Sequence, residues 1–430
     1  MFLAQRVLDP GRHTHLGAGS LLNADEVQET HSVELPTGRL DIKVFRTEMP
    51  LADICGFAAR QNPKRGFLFV SKVLGKHIPV RPSKVREVHT RLAAQIPADL
   101  PGPVVVIGMA ETAICFGNGV FDEYVRLTGR TDVMFTQSTR YRLDKPVAIE
   151  FLEEHSHAAD HIIYEPEDEA LKAMFYGARS LVLMDDEAST GKTFVNLVKN
   201  MSSIMPQVER VVTGVITDWR GPKRTKETLD AMPVPASTVA ILHGEYQFTP
   251  SPTLKLVEMP KVSGSGKVLD AELPSNFGRL GLPADNSSDA GARKLAAELV
   301  YGLAAPGITC AWGQHGQKML VLGTGEFAYP PFLLAEALED AGYDVYYQST
   351  TRSPIMVNPE LAIACRIEHT DNYGDGIVNF LYNARPSDYN RVILCHETPQ
   401  GSVDQVLVDA LGAETLEFRY EKRKADLLAG

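Results

Sequence analysis

Cysteine is scarce in this chain: five among 430 residues, Cys55, Cys115, Cys310, Cys365 and Cys395, with no C-x-x-C pair. A disulfide framework or cysteine zinc site needs closer, paired spacing, so reduced thiols in a cytoplasmic protein are expected. Positive charge is short as well. Lys and Arg number 43 against 54 Asp and Glu, a net charge of −11, which argues against a nucleic-acid partner. The one dense basic run, RPSKVREVHTR from Arg81 to Arg91, reads as the solvated face of a helix. Long apolar stretches are missing: nothing approaches the roughly 20 residues that cross a bilayer, so no membrane partner is expected. The opening MFLAQRVLDPGRH lacks both the basic lead and the apolar run of a signal peptide.

What is present is a globular composition, 44% hydrophobic and 23% charged, over a length that suits two domains. Short apolar runs ending in Gly, Ser or Asp recur, each leading into helical periodicity. They include PVVVIGMAETA from Pro103, DVMFTQSTR from Asp132, SLVLMDDEASTGKT from Ser180 and VERVVTGVITDW from Val208. KMLVLGTGEF from Lys318, DVYYQSTTR from Asp344 and RVILCHETPQG from Arg391 follow. Buried parallel strands read this way, and such α/β units carry functional loops at the strands' C-terminal ends. Linker composition is richest at 246–253 and 261–268, which predicts a first domain over 1–265 and a second over 266–430.

The halves mirror each other. Gly108 precedes Glu111 as Gly323 precedes Glu326, and each pair is followed by a strand ending in Gln137-Ser-Thr-Arg140 or Gln348-Ser-Thr-Thr-Arg352. Counting on from the glutamines reaches DDEASTG at Asp185 and CHETPQG at Cys395. This predicts that the second half is a degenerate copy of the same α/β unit, with Cys395 and His396 in place of the acidic pair. A different strand order in the two halves would end the idea.

The stretch ending in Gly191-Lys192-Thr193 invites a nucleotide-triphosphate reading. The Walker pattern needs a glycine five residues before Gly191, and Asp186 stands there. Two carboxylates beside a polyphosphate repel it. Read instead as a strand, two acids and a small hydroxyl-rich turn opening a helix, the segment is coherent. Ser189, Thr190, Gly191, Lys192 and Thr193 can wrap a single phosphate with N–H groups, hydroxyls and the helix N-terminus. Asp185 and Asp186 suit adjacent sugar hydroxyls. A phosphate beside a diol is ribose 5-phosphate.

VLMDDEASTGKT resembles the phosphoribosyl-diphosphate signature of type I phosphoribosyltransferases. It departs at Glu187, where an apolar residue is usual, and at Lys192, where glycine is usual. FTQSTRYRLDKP and YYQSTTRSPI resemble a narrower group, as do NPKRGFLFVSKVLGKHIPV at 62–80 and DGIVNFLYN at 375–383. This group comprises orotate phosphoribosyltransferase-like proteins associated with tellurium resistance, which carry a second, TRSP domain. The resemblance implies a parallel sheet flanked by helices and covered by a hood, followed by a second α/β domain. It also implies transfer from phosphoribosyl diphosphate to a base-like acceptor, with Mg²⁺ as cofactor, in the making of a nucleoside-like metabolite. Asp185 and Asp186 would bind the ribose hydroxyls and the metal, and residues 189–193 the 5-phosphate. Gly108, Met109, Ala110 and Glu111 would form the diphosphate loop, with Arg140 in a lid that closes on the leaving group. Lys72, Lys76 and His77 fall in the hood, facing either acceptor or solvent. The fold admits a homodimer.

Two further readings stay open. The chain can keep the phosphoribosyl site as a non-catalytic sensor, or hydrolyse nucleotide triphosphates. The cluster EEHSHAADH, with Glu153, His155, His157 and His161, reads either as a metal site on one helix face or as part of the lid.

Overall fold

The computed structural model describes residues 26–60, 65–151, 161–252, 277–284 and 316–418. The domain boundary expected near residue 265 lies outside the described residues. In the first half, β1 (Glu29–Leu35) and β2 (Gly38–Thr47) lead into a short α1 (Leu51–Ile54) and the hairpin β3 (Cys55–Ala59) and β4 (Phe67–Ser71). After α2 (Pro82–Gln95) come β5 (Val104–Gly108), α3 (Ile114–Thr128) and β6 (Val133–Gln137). The hairpin β7 (Val147–Phe151) and β8 (His161–Tyr164) and the helix α4 (Glu169–Tyr176) follow. Then come β9 (Ser180–Ala188), α5 (Lys192–Ile204), β10 (Arg210–Asp218), α6 (Gly221–Asp230), the long β11 (Ala236–Pro250) and the short β12 (Leu282–Pro283).

The second half runs β13 (Lys318–Gly323), α7 (Tyr329–Asp340), β14 (Asp344–Ser349), the hairpin β15 (Arg366–Thr370) and β16 (Val378–Tyr382), β17 (Arg391–His396), α8 (Gln405–Leu411) and β18 (Glu414–Glu417).

The first sheet has the order β1-β2-β11-β10-β9-β5-β6-β12. Its central strands β11, β10, β9, β5 and β6 are parallel. Val104, Val105, Val106 and Ile107 are wholly buried, as a strand covered by helices on both faces requires. The helix α2 buries Val85, Val88, His89 and Leu92 at three- and four-residue spacing. Its basic run is not entirely solvated. Arg86 donates to both oxygens of Glu336, at 2.7 and 2.9 Å, and to Asp122 at 3.0 Å, tying α2 to α7 and α3.

The duplication holds, with a shifted register. The order β6-β5-β9-β10 in one sheet is matched by β14-β13-β17-β18 in the other, and all pairs are parallel. Each unit inserts an antiparallel hairpin between its second and third parallel strands, β7–β8 or β15–β16. The backbone repeats in detail. Ser138 N–H donates to Gly108 O at 3.0 Å, and Thr350 N–H to Gly323 O at 3.1 Å. Ala110 N–H donates to Ser138 Oγ and Gly325 N–H to Thr350 Oγ1, both at 2.8 Å. Thr139 bridges Ile162 as Thr351 bridges Phe380. Arg140 therefore corresponds to Arg352 by these contacts, although the two glutamines do not superpose. Gly108 lies opposite Met184 and Gly323 opposite Cys395, which places His396 and Glu397 at the positions of Asp185 and Asp186. The expected match of Cys395 to Asp185 is therefore off by one residue: it aligns Glu187 with Glu397 and Gly191 with Gly401, whereas equal steps of 48 residues from Gln137 and Gln348 reach Asp185 and His396.

Candidate active site

The predicted site residues gather at one edge of the first sheet, because β6, β5 and β9 are neighbours with their C-terminal ends together. Asp185 and Asp186 are half-buried near the end of β9, where Asp186 N–H donates to Asp185 Oδ1 at 2.9 Å. Burial, and then the negative charge of Glu187, push the Asp186 carboxyl up to about 6. Glu187 is itself ion-paired with Arg65 from the hood side. The departure from an apolar residue at 187 is thus explained by a partner far away in sequence.

Beyond Asp186 the chain turns through Ser189 and Thr190 into Gly191, which caps α5 with a left-handed φ of 73°. A Cβ there would lie 2.5 Å from Thr228 Cγ2, so backbone shape and packing both require glycine. Thr190 and Lys192 are exposed and Thr193 is half-buried, and the Lys192 N–H at the start of α5 donates to Thr190 Oγ1 at 3.4 Å.

The Gly108 loop is tightly held. Met109 N–H donates to Met184 O at 2.9 Å and Ala110 N–H to Ser138 Oγ, so both amides already have partners. The Glu111 side chain is buried and lies 2.8 Å from Lys76 Nζ and 3.9 Å from Arg352 Nε. Lys76 also donates to Gly325 O at 2.8 Å. Lys76 is therefore a contact between the halves. His77 is buried beside it, its imidazole lowered to about 3 by burial and then by the Lys76 charge. Lys72 donates to Ala52 O.

Arg140 is placed at the end of β6, its N–H donating to Glu326 Oε1 at 2.7 Å while Thr139 Oγ1 donates to Glu326 Oε2 at 2.5 Å. Arg142 and Lys145 instead form surface ion pairs with Glu150 and Glu167. His155, His157 and Glu153 lie outside the described residues. His161 opens β8, buried, with Nδ1 2.9 Å from Ser138 Oγ and its ring stacked on Phe151 at 4.8 Å. The four-residue helical spacing expected between His157 and His161 does not extend to a residue in a strand.

In the copy, the equivalent edge is filled. Glu397 is fully buried and accepts from Arg279 Nη1 at 2.9 Å and from Tyr373 Oη at 2.7 Å. Arg279 also reaches Glu326 at 3.4 Å.

Sequence reasoning passed over Asp218 and Arg220 at the end of β10. Arg220 Nε and Nη2 donate to the two oxygens of Asp218, each at 2.8 Å, with both side chains out of solvent. Between them Trp219 stacks on Phe69 of the hood, 4.3 Å apart at 16°. The alternation D-W-R at a strand end was the available signal.

A family profile described as phosphoribosyl transferase matches residues 54–245, and the TRSP domain that lies C-terminal to it matches 277–411. Residues 54–245 thus form a phosphoribosyl transferase domain and residues 277–411 a TRSP domain. No curated protein matches the transferase. Among solved structures, adenine phosphoribosyltransferase from Rhodothermus marinus is similar at 17% identity, covering 44% of this chain and 95% of that one, with a TM-score of 0.28. Adenine phosphoribosyl transferase from Trypanosoma brucei gives 11% identity, 46% and 82% coverage and a TM-score of 0.31. Orotate phosphoribosyltransferase from Aeropyrum pernix gives 14% identity, 41% and 78% coverage and a TM-score of 0.26. Among the described residues of the transferase, no helix is long and apolar enough to cross a membrane.

Proposed function

We propose that the first half transfers the phosphoribosyl group of phosphoribosyl diphosphate to a base-like acceptor, releasing diphosphate and a nucleotide-like product. The observation that carries this reading is the Asp185–Asp186 pair at the end of β9, one turn before a helix opened by left-handed Gly191. In this reading Ser189, Thr190, Thr193 and the amides at the start of α5 bind the 5-phosphate, with Lys192 adding charge. Asp185 and Asp186 accept hydrogen bonds from the ribose hydroxyls and fix the sugar. C1 is thereby held for attack as the bond to diphosphate breaks. The Gly108–Glu111 loop and Arg140, from the neighbouring strand ends, face the leaving diphosphate. The aromatic wall of Phe69 and Trp219 lies on the hood side, where an acceptor ring would be screened from water.

Among the described residues no group of three or more His, Cys, Asp or Glu is placed to hold a metal ion. The donor set fits Mg²⁺ even so, since that ion takes one or two protein carboxylates and completes its shell with phosphate oxygens and water. Asp185 and Asp186 would hold it. The ion would supply neutralisation of the diphosphate's negative charge.

The test is diphosphate release from phosphoribosyl diphosphate across a panel of nucleobases and orotate-like acids, with Asp185→Asn/Asp186→Asn as control. Acceptor-dependent release that the double variant loses supports transfer. Tight binding without release on any acceptor makes the protein a sensor instead, and ATP hydrolysis indifferent to the double variant makes it an NTPase.

A further inference from the structure

The contacts between the two halves are reciprocal. The end of β6 places Thr139 and the Arg140 amide on Glu326 of the second half. The matching end of β14 places Arg352 on Glu111 of the first half. Each unit thus offers its post-strand threonine–arginine turn to the other's Gly-x-x-Glu loop, as the two members of a twofold pair do. The symmetry fails at the functional residues. Only the first half retains adjacent aspartates, and the copy's Glu326 and Glu397 are occupied by Arg279.

Arg352 is the residue this arrangement leaves unexplained. Its side chain is 13% exposed, and its guanidinium lies 4.6 Å above the Tyr141 ring. Its ion pair among the described residues is the 3.9 Å approach of Nε to Glu111, and its buried Nη2 has no hydrogen-bond partner. Glu111 already has Lys76 at 2.8 Å. One carboxylate therefore faces two cations. The turn that carries Arg352 is fixed, because Thr351 bridges Phe380 and Thr351 Oγ1 accepts from Ser353 N–H at 3.2 Å. A fixed, buried guanidinium with an N–H that has no hydrogen-bond partner is a site for an oxyanion.

We propose that Arg352 is a diphosphate-binding residue of the first half's transferase site, and that the degenerate copy serves as a built-in partner that delivers it. The proposal rests on the transferase reading above, which places the leaving diphosphate at the Gly108–Glu111 loop. Arg352 Nη2 donates to a diphosphate oxygen while the Tyr141 ring beneath the guanidinium and Glu111 at 3.9 Å from Nε orient the planar fork before substrate arrives. The second half thereby completes the first site without an active site of its own.

The experiment compares phosphoribosyl diphosphate with ribose 5-phosphate, which lacks only the diphosphate, by titration calorimetry in Mg²⁺ buffer. It uses the full chain and the variants Arg352→Gln and Arg352→Lys. Arg352→Gln is expected to weaken phosphoribosyl diphosphate at least tenfold and to leave ribose 5-phosphate within twofold. Arg352→Lys, which keeps the charge and the fold but loses the fork, is expected to fall between. Equal weakening of both ligands would mean that Arg352 only supports the interface, and unchanged affinity for phosphoribosyl diphosphate in both variants would likewise overturn the proposal. If the unaltered protein binds neither ligand, the transferase reading itself fails. Should Arg352→Gln not fold, Arg352→Lys decides alone, with affinity equal to the unaltered protein counting against the proposal.

Discussion

Asp218 and Arg220, two positions apart at the end of β10, hold each other through a pair of 2.8 Å hydrogen bonds with neither side chain exposed to solvent. The pair fixes Trp219 between them against Phe69, and so fixes the wall between sheet and hood. Burial alone would raise the Asp218 carboxyl; His243 and Arg220 outweigh it and hold the group at about 2. Removing Arg220 takes away both 2.8 Å hydrogen bonds and leaves that buried charge only His243, at 3.7 Å, as an ion partner. Arg220→Met is expected to cost about 3–5 kcal/mol in urea unfolding at neutral pH. The pH dependence follows from a value lowered on folding. The carboxylate's contribution, about 2 kcal/mol, is complete above its unfolded value near 3.9 and is lost as pH falls through about 2. Acid unfolding of Asp218→Asn should therefore be flatter between pH 4 and 2 than that of the unaltered protein.

Asp186 behaves oppositely. Its carboxyl is raised on folding, to about 6, so the folded state carries a penalty that begins near pH 4 and is complete above about 6. Asp186→Asn removes it. After allowance for the residue's partial exposure, a gain of about 1 kcal/mol at pH 7.5 is expected, with no gain at pH 4. Affinity for phosphoribosyl diphosphate should fall at least tenfold in the same variant. Thermal melts at both pH values and one titration at pH 7.5 check the two halves of the claim. A variant both less stable and unimpaired in binding would show Asp186 to be a structural acid.

Much of the architecture was legible because it is local. VVVIG, VMFTQ, SLVLM and RVVTG are continuous apolar runs, and β5, β6, β9 and β10 form on them. The duplication was legible through Gly108 and Glu111 echoing Gly323 and Glu326. Its register was not, since the Glu and Gly shared by DDEASTG and CHETPQG align the two loops one residue away from the register that the strands adopt. The identities of buried charges were hidden for a physical reason. Lys76, Glu111 and Arg352 are tolerated inside because they meet one another, and those meetings join residues 35 and 241 positions apart. A lysine next to a histidine in GKHIPV reads as surface until its partner is known. The long β11 was equally opaque. It pairs in parallel with β10 and then continues past an irregularity at His243–Gly244 as the antiparallel partner of β2.

Gly191 tests the phosphate turn. Alanine there must adopt φ near 73° and place its Cβ 2.5 Å from Thr228 Cγ2 and 2.8 Å from Thr228 Oγ1. Gly191→Ala is expected to cost about 1–3 kcal/mol of stability and to raise the KM for phosphoribosyl diphosphate. Pairing it with Thr228→Ala relieves the collision but not the backbone, so only part of each loss should return. Full recovery in the double variant would mean that the left-handed turn is dispensable. No loss in the single variant would remove the turn from the site.

Arg279 tests whether the copy's acids are neutralised from within the chain. Its guanidinium lies 2.9 Å from Glu397 and 3.4 Å from Glu326, and all three side chains are buried. Glu397 Oε2 has no hydrogen-bond partner, so the carboxylate depends on Arg279 and Tyr373. Arg279→Met should therefore destabilise the protein by about 3–5 kcal/mol, more than the loss of packing alone. Arg279→Met/Glu397→Gln removes the stranded charge together with its partner, and most of the stability should return. A double-mutant cycle on urea midpoints reads the coupling directly. Additive losses would show that Arg279 supports the second half by shape and not by charge, and that the copy's acids are stabilised by some other group.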